Sequence, residues 1–135
     1  MKQDLVAELV RLRLKQAQET LADARSLFEA DRTPRSVINR AYYAMFYAVL
    51  ALLQIIGKGS SKHAGVIGLF DKEFVKSGLF PVESSRALHE AFDERQKSDY
   101  EPAKMASREE AAEALARAQR FVEQVGEYIS RRLAE

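Results

Sequence analysis

Arg95 and Asp99 stand one helical turn apart in the segment LHEAFDERQKSDY, residues 88 to 100. Leu88, Ala91 and Phe92 recur at helical spacing and mark the inward face of that segment, and Arg95 falls between Ala91 and Phe92 in angle. A guanidinium on an inward face keeps its charge and needs acceptors. Two arrangements satisfy it. It pairs with Asp99 or extends to the end of the helix, or it faces a polar pocket and binds an anion such as a phosphate.

A second set of polar groups lies in RSVINRAYYAMFYAVLALLQIIG, residues 35 to 57. At about 100° per residue, Ser36, Asn39, Arg40, Tyr43, Tyr47 and Gln54 fall on one edge of a helix. Tyr43 and Tyr47 are one turn apart, and a buried tyrosine hydroxyl needs a hydrogen-bond partner. This edge is either the wall of a site or a place where hydroxyls reach water. His63 belongs to the first turn of a later helix, beside Lys62. A helix N-terminus attracts anions and lowers a histidine's pKa, so His63 is either a site residue or a surface ring. His89 points away from the apolar face of its helix and reads as exposed.

Other chemistries find no support. The chain has no cysteine and two histidines, His63 and His89, without helical partners. Thiolate catalysis and cysteine-based zinc sites are excluded, and no metal or other cofactor is expected. The stretch GKGSSK lacks the leading glycine of a phosphate-binding loop and follows a helix rather than a strand. No serine has a base and orienter at a recognisable spacing.

Helices must position all of these groups. Leu14, Ala17, Leu21, Ala24 and Phe28 give the first helix its period, from Gln3 to about Ala30. Thr33 as N-cap and Pro34 at the first helical position open the second, which ends at GKGSSK. On it Ile38, Tyr42, Met45, Phe46, Val49, Leu53 and Ile56 form a core face. Ala41, Ala44, Ala48 and Ala51 form a small-residue face that lets another helix, or a second subunit, approach closely. A third helix is expected over 62–76 with Ser61 as cap and Gly78 as stop. A fourth runs over 82–98 and ends before Pro102. The last opens on a capping box, Ser107 with Glu110, and presents Ala114, Ala118, Phe121, Val125 and Tyr128 along one face. The expected fold is all-α, one antiparallel bundle of four to five helices over 1–135, with the two long terminal helices side by side.

Composition agrees. With 135 residues, 47% hydrophobic and 30% charged, the chain is the size of one globular domain. Its net charge of +1 gives no global bias toward nucleic acid or anionic lipid. The stretch from Ala41 to Gly57 carries no charge, yet it is shorter than the roughly 20 apolar residues of a spanning helix and contains Tyr42, Tyr43, Tyr47 and Gln54. It reads as a buried helix. The charged N-terminus shows no secretory signal, and a cytoplasmic protein is expected.

Three stretches together, NRAYYAMFYAVLALL, KHAGVIGLFDKEFVKSG and RQKSDY, with the long helix that follows, resemble the HEPN family (higher eukaryote and prokaryote nucleotide-binding domain). More narrowly, the chain resembles the small stand-alone prokaryotic members that accompany minimal nucleotidyltransferases. The resemblance spans about residues 20 to 130.

It implies a helical bundle that forms a homodimer with a cleft at the interface, and a place in a toxin–antitoxin-like pair whose partner is a minimal nucleotidyltransferase. Many members are metal-independent ribonucleases. In them an arginine stabilises the phosphate, and a histidine that follows after four to six intervening residues moves protons for attack by the ribose 2′-hydroxyl. Arg95 matches that arginine. After four intervening residues comes Tyr100, not histidine, and a phenol of pKa about 10 is a poor base at neutral pH. The resemblance therefore implies an Arg95-centred site for an RNA or nucleotide phosphate with weak or absent ribonuclease activity. Tyr43, His63, Asn39, Tyr47 and Asp99 are its candidate lining, and His63 or Tyr43 the candidate replacement for the missing group. In some related pairs the partner adds AMP to a tyrosine near this motif, which makes Tyr100 a candidate acceptor. The alternative is a non-catalytic module that binds a nucleotide or a partner and dimerises.

Overall fold

The computed structural model of the chain describes residues 2–101 and 105–134. Those residues form five α-helices and no strand: α1 (Lys2–Glu29), α2 (Pro34–Ile55), α3 (His63–Phe70), α4 (Val82–Tyr100) and α5 (Arg108–Ala134). A π-helical turn, Asp71–Val75, continues α3.

Local chemistry explains most of the boundaries. Thr33 caps α2 through a 3.4 Å bond from the Ser36 N–H to its hydroxyl, with Pro34 next in line. Gly57, at φ +66°, closes the same helix, and the Lys58 N–H reaches the Leu53 carbonyl at 3.1 Å. Ser107 and Glu110 form the expected reciprocal capping box, with both bonds at 3.0 Å. Glu101 leaves the helical region at φ −125°. The expected helix stop at Pro102 falls on a residue outside those described.

The third helical segment corrects the sequence reading twice. Its N-cap is Lys62, not Ser61, and the neighbouring Ser60 hydroxyl accepts the Lys62 N–H at 3.2 Å. It is also not one helix to Lys76. At Asp71 the ladder widens, and the Lys76 N–H bonds the Asp71 carbonyl five residues back at 2.8 Å. The Asp71 carboxylate is held from α4 by Ser85 (2.7 Å) and His89 (2.6 Å), so this turn is tied to a neighbouring helix. His89 is half exposed and serves as that tie.

The helices pack antiparallel. Arg25 donates to Gln119 at 2.6 Å while Asp31 meets Arg108 at 2.7 Å, so α1 and α5 run in opposite directions side by side. Glu94 with Arg117 and Ser84 with Gln124 give the same sense for α4 and α5. The most extensive contact joins α1 and α2. Both bring small residues to it: Ala17, Thr20 and Ala24 are buried, as are Ala41, Ala44, Ala48 and Ala51. The alanine face of α2 is thus covered within one chain, so a second subunit is not what buries it.

Helix α2 is the core of the bundle. Its 22 residues are long and apolar enough, by length and composition, to cross a membrane, longer than the uncharged stretch alone suggests. Two-thirds of its apolar stretch (67%) is buried inside the bundle. Around it, Phe70, Phe74 and Phe80 pack with Phe121 and Tyr128 into one aromatic cluster. A second aromatic cluster surrounds His63.

Candidate functional site

Tyr42 follows the core face of α2 and is 1% exposed. A phenol that deep needs a polar partner, and it has one: its hydroxyl lies 2.8 Å from His63 Nδ1. The His63 ring stacks on Phe46 at 4.2 Å between centroids, with 19° between planes, and meets the Tyr43 ring edge-on at 5.7 Å. Tyr42 also meets Tyr43 edge-on at 5.1 Å and touches Phe92 of α4 at 5.9 Å. Tyr47 packs beside Tyr43 at 5.8 Å and is half-buried. Spacing on α2 sends Tyr42 and Phe46 inward and leaves Tyr43 and Tyr47 on the edge of the same wall.

Arg95 enters this cluster from α4. Its Nη2 donates to the Tyr43 hydroxyl at 3.2 Å. Its guanidinium carbon lies 5.4 Å from the Tyr43 ring centre and 5.8 Å from that of Tyr42, within cation–π range. Its Nε lies 2.9 Å from Asp99 Oδ2, an ion-pair distance, but at an angle that makes no hydrogen bond. The side chain is 19% exposed. Arg95 thus pairs with Asp99, the first of the two sequence readings, and also meets the Tyr43 hydroxyl and ring on α2.

Electrostatics follow from this crowding. Burial pushes the Tyr42 phenol well above its ordinary range, and the Tyr43 phenol beside it adds to the shift, against the opposing pull of Arg95. Tyr42 keeps its proton at neutral pH. His63 is pushed below 6.5, first by burial and second by the Arg95 cation, so its imidazole is neutral at pH 7. Burial leads here, where the sequence pointed to a helix terminus.

Asn39 and Arg40 stand one turn before Tyr43. Asn39 Oδ1 accepts from Arg40 Nε (3.1 Å) and Nη2 (3.0 Å), and the Arg40 guanidinium lies 5.0 Å from the Tyr43 ring centre. An open depression beside the cluster is lined by Leu27, Arg35, Ser36, Asn39, Arg40 and Asp99.

The structure thus brings Arg95, Tyr43, His63, Tyr47, Asn39 and Asp99 into one neighbourhood. It does not bring in Tyr100, the last residue of α4, which is 75% exposed and outside the ring cluster. Sequence reasoning missed Tyr42 and Phe46 as the clamp on His63. Their inward direction was legible, but the path of the loop that returns His63 to them was not. Among the described residues, no group of three or more His, Cys, Asp or Glu is placed to hold a metal.

The all-helical bundle of the described residues is consistent with a HEPN domain. The model of the HEPN domain matches residues 10–128, and the chain belongs to that family. A Thermotoga maritima protein named "UPF0332 protein" is 42% identical over 86 residues, 64% of this chain and 64% of that protein. This chain therefore spans just under two-thirds of that relative in the match. Two Methanocaldococcus jannaschii proteins, each carrying the name "Putative toxin", are 33% identical over 122 and 120 residues. Those matches cover 90% and 89% of this chain and 82% and 88% of the two proteins.

Proposed function

We propose that this chain is the HEPN component of a toxin–antitoxin-like pair and that Arg95 binds a phosphate of RNA or of a nucleotide. The observation that carries the reading is the Arg95 guanidinium, held at the Tyr43 hydroxyl and the Asp99 carboxylate beside an open depression. A phosphate that displaces those acceptors meets a fixed planar cation. The names of the two archaeal relatives support the toxin-like placement.

Cleavage is weak or absent in this reading. Attack by a ribose 2′-hydroxyl needs a base of suitable pKa and a group that stabilises the developing phosphorane charge. Arg95 serves the second need. For the first, Tyr100 stands exposed at the end of α4, outside the ring cluster. His63 is neutral at pH 7 and lies in the ring cluster, so residual proton transfer falls to it. The partner is a minimal nucleotidyltransferase, the working form a cytoplasmic homodimer, and exposed Tyr100 the residue that partner modifies with AMP.

Incubating labelled RNA with the pure protein and with its Arg95→Ala variant tests the reading. Binding at least about tenfold weaker in the variant is expected, the worth of a charge-assisted hydrogen bond, with little strand cleavage by either. Equal binding by both proteins overturns it.

The exposure of Tyr100 also favours a second reading, a non-catalytic module that binds the partner through this end of α4. Partner binding that survives Arg95→Ala and fails in Tyr100→Ala would select it.

A further inference from the structure

The depression beside the ring cluster holds more positive charge than Arg95 accounts for. Arg35 and Arg40 line it from the first two turns of α2. The recorded partners of Arg40 are Asn39 and the Tyr43 ring, neither of them an anion. Arg35 is exposed. The one carboxylate in the lining, Asp99, already lies 2.9 Å from Arg95. Among the described residues that line the depression, Arg35 and Arg40 are the cations and Asp99, already paired with Arg95, is the carboxylate.

Arg40 is also ordered before any ligand arrives. Its Nε and Nη2 converge on one oxygen of Asn39, and its plane rests by the Tyr43 ring at 5.0 Å. Those contacts use one side edge of the guanidinium. The end edge, formed by Nη1 and Nη2, is the one that grips two oxygens of a phosphate. A free arginine gives up rotamer entropy when it binds, and an ordered one gives up less. Tyr43 couples this arginine to the first site, because Arg95 lies 5.4 Å from the same ring and donates to its hydroxyl.

We infer that Arg35 and Arg40 form a second phosphate subsite beside Arg95, which takes a neighbouring phosphate of a single-stranded RNA backbone. The inference rests on the reading of Arg95 as a phosphate ligand. A strand presents phosphates in succession, and two cationic positions that share the Tyr43 ring suit successive phosphates better than a lone one. Aromatic rings interleaved with cations suit an unpaired strand, whose bases are free to stack. A nucleoside triphosphate shares the phosphate chemistry, so the experiment separates the two sources.

The test measures fluorescence anisotropy of a labelled oligouridylate with the full chain across a potassium chloride series, and ATP binding by calorimetry in parallel. Arg35→Gln, Arg40→Gln, their combination and Arg95→Gln are compared with the native chain. For single strands each lost phosphate contact lowers the slope of log K against log salt by about 0.7. The double variant is expected to lose about 1.4 from that slope and to bind more weakly at low salt. Arg35 is exposed and forms no ion pair or side-chain hydrogen bond with the described residues, so its variant should melt with the native protein and still show its share of the slope change.

Native affinity and slope in the double variant, with weakened binding in Arg95→Gln, overturn the subsite and leave the Arg95 reading intact. ATP binding that depends on Arg35 and Arg40, with no oligouridylate binding, overturns the strand as ligand. No binding of either probe by the native chain overturns both readings together.

Discussion

Tyr42 Oη and His63 Nδ1 lie 2.8 Å apart, and this bond ties the core helix to the first residue of α3. The phenol holds its proton because burial pushes it up, and the imidazole is neutral because burial and Arg95 push it down. In the Nε2–H tautomer Tyr42 donates to Nδ1; in the other, Nδ1–H donates to Tyr42. Tyr42→Phe keeps the ring stack and removes only the hydroxyl, which leaves a part-buried imidazole nitrogen without its partner. A loss of about 1–2 kcal/mol is expected in urea unfolding, with the m-value unchanged. A variant as stable as the native protein would mean that water replaces the phenol.

The same pair makes stability depend on pH. The folded His63 has its pKa below the unfolded value of 6.5, so between those two values the unfolded chain binds more protons. Stability then rises with pH through that window. This contribution is fully present above pH 6.5 and is lost as pH falls through the folded pKa. Subtracting the stability profile of His63→Gln from that of the native chain isolates it. The difference should be flat above about pH 7 and fall toward acid. A difference that grows toward acid would reverse the sign and place a carboxylate beside the imidazole.

Gly65 lets this helix start where it does. A Cβ there would overlap Ser60 Oγ and come within 2.8 Å of Ser60 Cβ. Alanine normally gains about 1 kcal/mol over glycine inside a helix, yet Gly65→Ala should destabilise by about 1–3 kcal/mol, the usual effect of overpacking. Ser60→Gly removes both opposing atoms and should restore much of the loss in the double variant. His63 sits two residues before Gly65, so its ring resonances should shift in Gly65→Ala and return in the pair. Independent, additive effects of the two substitutions would disprove the contact.

The residues show why some of this was legible in the sequence. Thr33 with Pro34 and Ser107 with Glu110 work through partners three residues away or fewer, so their spacing states the structure. The inward turn of Arg95 follows from Leu88, Ala91 and Phe92 on the same helix, and the buried row from Ile38 to Leu53 follows from period alone. The meeting of His63 with Phe46 depends on the route of the GKGSSK loop, and no local pattern encodes it. The π-helical turn was hidden for a similar reason. The carboxylate of Asp71 is held by Ser85 and His89, which lie beyond a turn, so residues 62 to 76 alone read as one helix.

Arg95 keeps its direction because the residue before it is anchored. Glu94 Oε1 accepts from Arg117 Nη2 at 2.9 Å, with side chains 25% and 12% exposed, and Glu90 lies 3.7 Å from the same guanidinium. Burial raises the Glu94 pKa against the pull of Arg117, so this carboxylate depends on its arginine for compensation. Arg117→Ala leaves Glu94 desolvated and unpaired. A fully buried pair broken this way costs about 3–5 kcal/mol, and the partial exposure here reduces that to about 2 kcal/mol. Glu94→Gln, which keeps a neutral acceptor for Arg117, should cost less. The Glu94 carboxyl should titrate higher still in Arg117→Ala, since the opposing cation is gone. Nuclear magnetic resonance of the glutamate carboxyl carbons reads that shift directly. An unchanged titration would show that Arg117 does not stabilise the Glu94 carboxylate.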